Sequence, residues 1–145
     1  MTKTPHYDDT MALLRRYRAA LCNISLIGET FDENHIKELG LDIAETKAAH
    51  EAALSLKAKI DSAVLQLQVL HVQGYRLARI LFYRFMDKTP RNTEEIVAEL
   101  SREGYIKTKH NYEKLKSEAV NVMSHLIFGD ELTYDKISNM TDSHE

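Results

Sequence analysis

The sequence predicts an all-α protein. Apolar residues recur at steps of three and four over most of its length, as one face of an α-helix requires. The 145 residues include only 5 Gly and 2 Pro, so breaks are few and helices can be long. No run alternates apolar and polar residues between turn dipeptides, so no strand competes. The expected architecture is an N-terminal long helical hairpin or coiled-coil arm followed by a C-terminal helix-turn-helix.

Residues 1–7 carry Pro5 between polar flanks and are expected to fray. Asp8 or Asp9 can cap a first helix with the stripe Leu14, Tyr17, Leu21, Ile24 and Gly28, widened by Leu13, Ala20 and Ile27. Arg15, Arg16 and Arg18 lie beside or opposite that stripe, as a solvated face or as an accessory phosphate or partner contact. Cys22 is the single cysteine, which excludes an internal disulfide and a Cys-based zinc site. Among apolar neighbours it is expected to be a buried small hydrophobe. Gly28 ends the helix. Asp32 caps a short segment in which Ile36 and Leu39 face inward and Gly40 is the stop. Asp42 and Glu45 then have capping-box spacing and open a long helix.

The apolar positions of that helix are Ala49, Ala53, Leu56, Ile60, Ala63, Leu67 and Leu70, a heptad seam. Leu56, Ile60, Leu67 and Leu70 are its expected packing or oligomer contacts. The seam suits an antiparallel hairpin on the first helix, or a homodimer. Gly74 interrupts the pattern. Beyond it Leu77, Ile80, Leu81, Phe82, Phe85 and Met86 make a nearly all-round apolar helix, hence a buried one, which residues 87–90 stop. Thr93 is the expected N-cap of a short helix carrying Ile96, Val97 and Leu100, closed by residues 101–104. Thr108 or Asn111 caps a last long helix with Tyr112, Leu115, Ala119, Val122, Met123, Leu126 and Ile127 turned inward, and Gly129 ends it. In the remaining residues Leu132, Tyr134 and Ile137 could dock on the body or on a partner. The division that follows is a helical arm over 1–72, a helix-turn-helix domain over 73–129 and an acidic tail over 130–145.

Formal charge is −3 for the chain and unevenly spread. Residues 1–75 carry 8 Lys+Arg against 10 Asp+Glu, residues 76–116 carry 10 against 6, and residues 117–145 carry 1 against 6. Positive charge is thus concentrated on the helix-turn-helix stretch. No apolar run reaches the ~20 residues of a membrane span, and the N-terminus lacks a signal-peptide core, so a cytoplasmic protein without a membrane partner is expected.

Catalytic signatures are missing. There is no Gly-rich phosphate loop, no HExxH and no Ser or Cys in a nucleophile setting. The seven His are scattered, and His71 and His125 lie near helix stripes as core-edge residues. The expectation is a protein that is not an enzyme and takes neither cofactor nor metal.

Position as well as charge favours double-stranded DNA as partner. In a helix-turn-helix the N-terminal residues of the second helix enter the major groove, where side chains reach base edges. Here Lys109, His110, Asn111 and Lys114 are the candidate base contacts, because Tyr112 and Leu115 take the inward positions. Asn can make paired hydrogen bonds to adenine, and Lys can donate to guanine or hold a phosphate. Arg84, Lys88, Arg91, Arg102, Lys107 and Lys116 are candidate phosphate contacts.

The same stretch carries Ile80-Leu81 before Arg84-Phe85, then Glu95-Ile96, Gly104-Tyr105, and Tyr112 before Leu115-Lys116 and Ala119. In that order and approximate spacing it resembles the σ70 region-4-like regulators of phages and prophages in Gram-positive bacteria. The nearest group is the ArpU-type (autolysin regulatory protein) late-transcription regulators. Ile106 and Lys107 stand as extra residues against that pattern. The resemblance implies sequence-specific DNA binding and control of late or lysis genes alongside RNA polymerase. Two other functions fit the same features. One is a small terminase-like packaging protein, which would form rings. The other is a protein-interaction module, such as a phage inhibitor of a host protein.

Overall fold

The computed structural model describes residues 2–132, and every regular element among them is helical. The order is α1 (Tyr7–Arg15), α2 (Tyr17–Ile27), α3 (Glu33–Glu38), α4 (Ile43–Leu70), α5 (Gly74–Leu81), a π-helical segment (Phe82–Met86), α6 (Thr93–Arg102) and α7 (Lys109–Phe128). No helix among the described residues is long and apolar enough to cross a membrane.

Local chemistry sets most of the boundaries. The Asp32 carboxylate accepts from the Asn34 N–H at 3.0 Å and opens α3, and Asp42 accepts from the Glu45 N–H at 2.8 Å and opens α4. Gly129 adopts φ +76 at the end of α7, a left-handed conformation that only glycine takes without cost. Two caps differ from expectation. Helix α1 begins at Tyr7 after His6, with no side-chain cap from Asp8 or Asp9. Helix α6 is capped by Asn92 rather than Thr93, in a full capping box with Glu95.

The expected first helix is two helices, broken at Arg16. The second of them, α2, lies along α4. Ala53, Leu56, Ile60, Ala63 and Leu67 form the buried line of α4, as the heptad spacing predicts. The seam fails at both ends. Ala49 is exposed and its neighbour His50 is buried, donating from Nε2 to the Gly28 carbonyl at 2.6 Å. Leu70 is exposed, because the chain turns away at His71 and α5 crosses there instead. Leu39 and Cys22 are also exposed rather than buried.

Helix α7 is the axis of the fold, packed by α1, α4 and α5, and every residue from Glu118 to Ser124 is buried. The N-terminal residues are held to it, not frayed. Asn121 accepts from the Thr4 N–H at 3.0 Å and donates to the Thr2 carbonyl at 3.3 Å. Asp130 accepts from the His6 backbone at 2.7 Å and from its ring Nδ1 at 2.6 Å, and takes a short hydrogen bond from Ser124. Asp130 therefore belongs to the body and not to a tail, and Leu132 packs on the core. Tyr134 and Ile137 lie outside the described residues. One cluster of buried side chains runs from Tyr7 to Met123, so the expected boundary at residue 72 matches no break in packing. Each fully buried Leu or Ile in it contributes about 1.5–3 kcal/mol.

Candidate nucleic-acid interface

Helix α6 stops where Gly104 takes φ +85. The Gly104 N–H reaches the Ser101 carbonyl at 3.1 Å and the Tyr105 N–H reaches the Leu100 carbonyl at 2.9 Å, the paired bonds of a Schellman ending. Ile106 is buried, which gives one of the two extra turn residues a packing role. Thr108 then caps α7, accepting from the Asn111 N–H at 3.0 Å. The turn from Glu103 to Thr108 has six residues, against the three or four of a compact helix-turn-helix.

Arg76, on the first turns of α5, fixes that turn in place. Its Nε donates to the Tyr105 carbonyl at 2.6 Å, Nη1 to Gln73 at 2.9 Å and Nη2 to Asn111 Oδ1 at 3.2 Å. One turn later Arg79 Nη2 donates to the Tyr83 hydroxyl at 2.5 Å and meets Glu103 at 3.2 Å, and the Tyr83 hydroxyl donates to Glu103 at 2.5 Å. Burial and the Glu103 hydrogen bond both raise the Tyr83 hydroxyl above its ordinary value. The π-helical segment beneath is closed by the Asp87 N–H on the Phe82 carbonyl at 2.8 Å. Arg18 of α2 donates to the carbonyls of Asp87 at 2.6 Å and Tyr83 at 3.3 Å. Of the three arginines on the first helical stretch, Arg18 is thus a capping group, while Arg15 and Arg16 stay exposed.

The candidate base contacts separate into two kinds. Lys109, His110 and Lys114 are exposed at the start of α7, with Lys107 exposed just before it, and the first turn holds no acidic residue. Lys109 has one carboxylate near it, Glu94 at 4.0 Å. Asn111 is half-buried and its amide oxygen is already taken by Arg76. It faces the bracket, and only its amide nitrogen remains for a base edge.

The candidate phosphate contacts do not form one surface. Arg91 pairs with Asp87 at 3.5 Å and lies over the Tyr83 ring, Arg102 pairs with Glu99, and Lys116 pairs with Glu113 at 3.1 Å. Arg84 is half-buried near Phe85, its Nε without a hydrogen-bond partner. Lys88 lines a cleft of about 390 Å³ with Arg18, Cys22 and Lys57, on the α2–α4 side. Of the expected seam contacts, Leu56, Ile60 and Leu67 lie in the core and Leu70 does not.

Two buried polar groups of α7 stand behind this end. Burial pushes the Tyr112 hydroxyl up to about 12, with Arg84 opposing. Burial likewise raises the Glu118 carboxyl above the ordinary carboxylate range, with Lys114 and Arg76 opposing. The brackets formed by Arg76 and Arg79 were missed in the sequence. Their signal was two arginines three residues apart in a helix otherwise apolar, where a buried cation needs a partner. Among the described residues no three His, Cys, Asp or Glu side chains gather to hold a metal. Comparison with protein-family models, with curated proteins and with solved structures finds no match.

Proposed function

We propose that the chain binds double-stranded DNA through the turn before α7 and the first turns of that helix, as a sequence-specific transcriptional regulator of phage or prophage late genes. RNA polymerase is the proposed protein partner. One observation supports this above the others. Lys107, Lys109, His110 and Lys114 are all exposed at a single helix N-terminus, held by Arg76 and free of acidic residues in its first turn. An α-helix so presented fits the major groove, and the lysines supply the salt-dependent phosphate term. The double variant Lys109→Glu, Lys114→Glu is expected to weaken binding to fragments of the source genome about 100-fold and to lower the salt slope by about 2. Fluorescence anisotropy over a salt series measures both. Wild-type affinity in the double variant would remove α7 as the reading helix.

A second reading is a protein-interaction module. It is favoured by the pairing of Arg91, Arg102 and Lys116 with carboxylates of the same chain, which leaves less free cation for phosphates. Absence of any salt-dependent DNA affinity would decide for it.

A further inference from the structure

Arg18, Leu21, Cys22 and Ser25 recur at helical spacing and so share one face of α2. That face is one wall of the cleft of about 390 Å³, which Lys57 of α4 and Lys88, two residues beyond the π-helical segment, complete. The volume lies within the ~300–1,000 Å³ of small-molecule sites. Most of the lining is carbon, yet Arg18, Lys57 and Lys88 all border it and no acidic residue does. The neighbouring carboxylates are engaged already. Asp61 accepts from Lys57 at 2.7 Å and from the Tyr17 hydroxyl at 2.6 Å, and Asp87 pairs with Arg91 at 3.5 Å. Arg18 donates from Nε and Nη2 to backbone carbonyls, which are neutral, and its Nη1 has no partner among the described residues. Lys88 is exposed and makes no ion pair among the described residues. Burial pulls the Arg18 guanidinium below its ordinary value, with Asp87 opposing and the like charge of Arg84 adding to the effect. An anion in the cleft would offset that repulsion.

We infer that this cleft binds a small amphipathic anion, a single carboxylate carried on a hydrocarbon chain. Charge and lining together select the class. The carboxylate accepts from Lys88 Nζ and Arg18 Nη1, the donors that the fold leaves over. The chain covers Leu21 and the exposed side of Cys22, where apolar surface now meets water. Inorganic phosphate or a nucleic-acid backbone would leave that wall wet. A neutral hydrocarbon would leave the cations without a counter-charge. The inference does not rest on DNA binding.

Cys22 is the single cysteine of the chain and borders the cleft, so its alkylation by iodoacetamide, followed by mass spectrometry of the full chain, reports occupancy. Octanoate, below its micellar concentration, is expected to slow alkylation severalfold, with half the effect at a concentration on the order of 1 mM. Acetate, the head without the chain, and octanol, the chain without the head, are expected to leave the rate unchanged at the same concentrations. Lys88→Gln is expected to raise the half-protecting concentration about tenfold, and Lys88→Arg, which keeps the charge, to restore it. Titration calorimetry measures octanoate binding independently of the thiol. Octanoate that does not bind, or that binds without shielding Cys22, would overturn the inference. So would octanol that protects as well as octanoate, or undiminished protection in a folded Lys88→Gln chain.

Discussion

Gly74 stands at the first residue of α5 with its backbone against the last turn of α4. A Cβ placed there would lie 2.1 Å from the Leu67 carbonyl oxygen, 2.7 Å from Gln68 Cα and 2.9 Å from the Gln68 carbonyl oxygen. All three are backbone atoms, so no change of rotamer relieves the clash. Restoring ordinary contact requires α5 to retreat by roughly 1 Å or more. That helix carries Leu77, Ile80 and Leu81, all fully buried, so the retreat opens the core around them. Gly74→Ala is expected to cost about 3 kcal/mol, at the upper end of overpacking, after the ~1 kcal/mol by which Ala outranks Gly in a helix. With a urea dependence of about 2 kcal/mol per molar, the midpoint falls by roughly 1.5 M. A urea titration followed by far-ultraviolet circular dichroism measures it. Gly104→Ala is the control, since Gly104 has φ +85 and nothing within 4 Å of an added Cβ. Its cost is conformational alone, about 1 kcal/mol and a shift of roughly 0.5 M. If Gly74→Ala loses no more than Gly104→Ala, the close crossing of α4 and α5 is refuted.

Two further expectations concern charge. Glu118 is buried with Oε1 lacking a hydrogen-bond partner, and burial raises its carboxyl. A raised folded value means that its contribution to stability is complete in acid and is lost as pH climbs past the ordinary glutamate range. Glu118→Gln is therefore expected to raise the melting temperature by a few degrees near neutral pH, with little gain in acid. The same gain at both pH values would exclude charge as its cause. Asp130 behaves oppositely. Burial opposes its ionisation, but the hydrogen bonds from Ser124 and His6 prevail and hold the carboxyl at about 2, against an ordinary 3.8. Its contribution is present above the ordinary value and is lost as pH falls from there toward 2. Asp130→Asn is expected to melt lower at neutral pH and to flatten that acid limb. An acid limb as steep as the wild type's would dissociate the clasp from acid sensitivity.

Much of the helical framework was legible because its causes are local. Asp32 and Asp42 cap the helices they precede, Gly28 and Gly129 end theirs, and Ala53 to Leu67 line α4. What escaped depends on distant partners. Thr4 meets Asn121 and His6 meets Asp130, each pair more than 110 residues apart, and no periodicity announces such contacts. His50 displaces Ala49 from the seam because the loop after α2 offers it the Gly28 carbonyl. At the candidate interface, the exposure of Lys109 and Lys114 follows from the inward spacing of Tyr112 and Leu115. The engagement of Asn111 does not, because its partner Arg76 lies 35 residues earlier.

The central place of α7 bears on how the chain is made. Synthesis proceeds from the N-terminus, so α1, α4 and α5, the walls of the core, emerge before the helix they enclose. Until residues 112–123 leave the ribosome, the faces of α1, α4 and α5 that pack on α7 form an apolar trough with no occupant. Any product that stops short of Met123 keeps that trough open, and it is a substrate for chaperones or for aggregation rather than a smaller working protein.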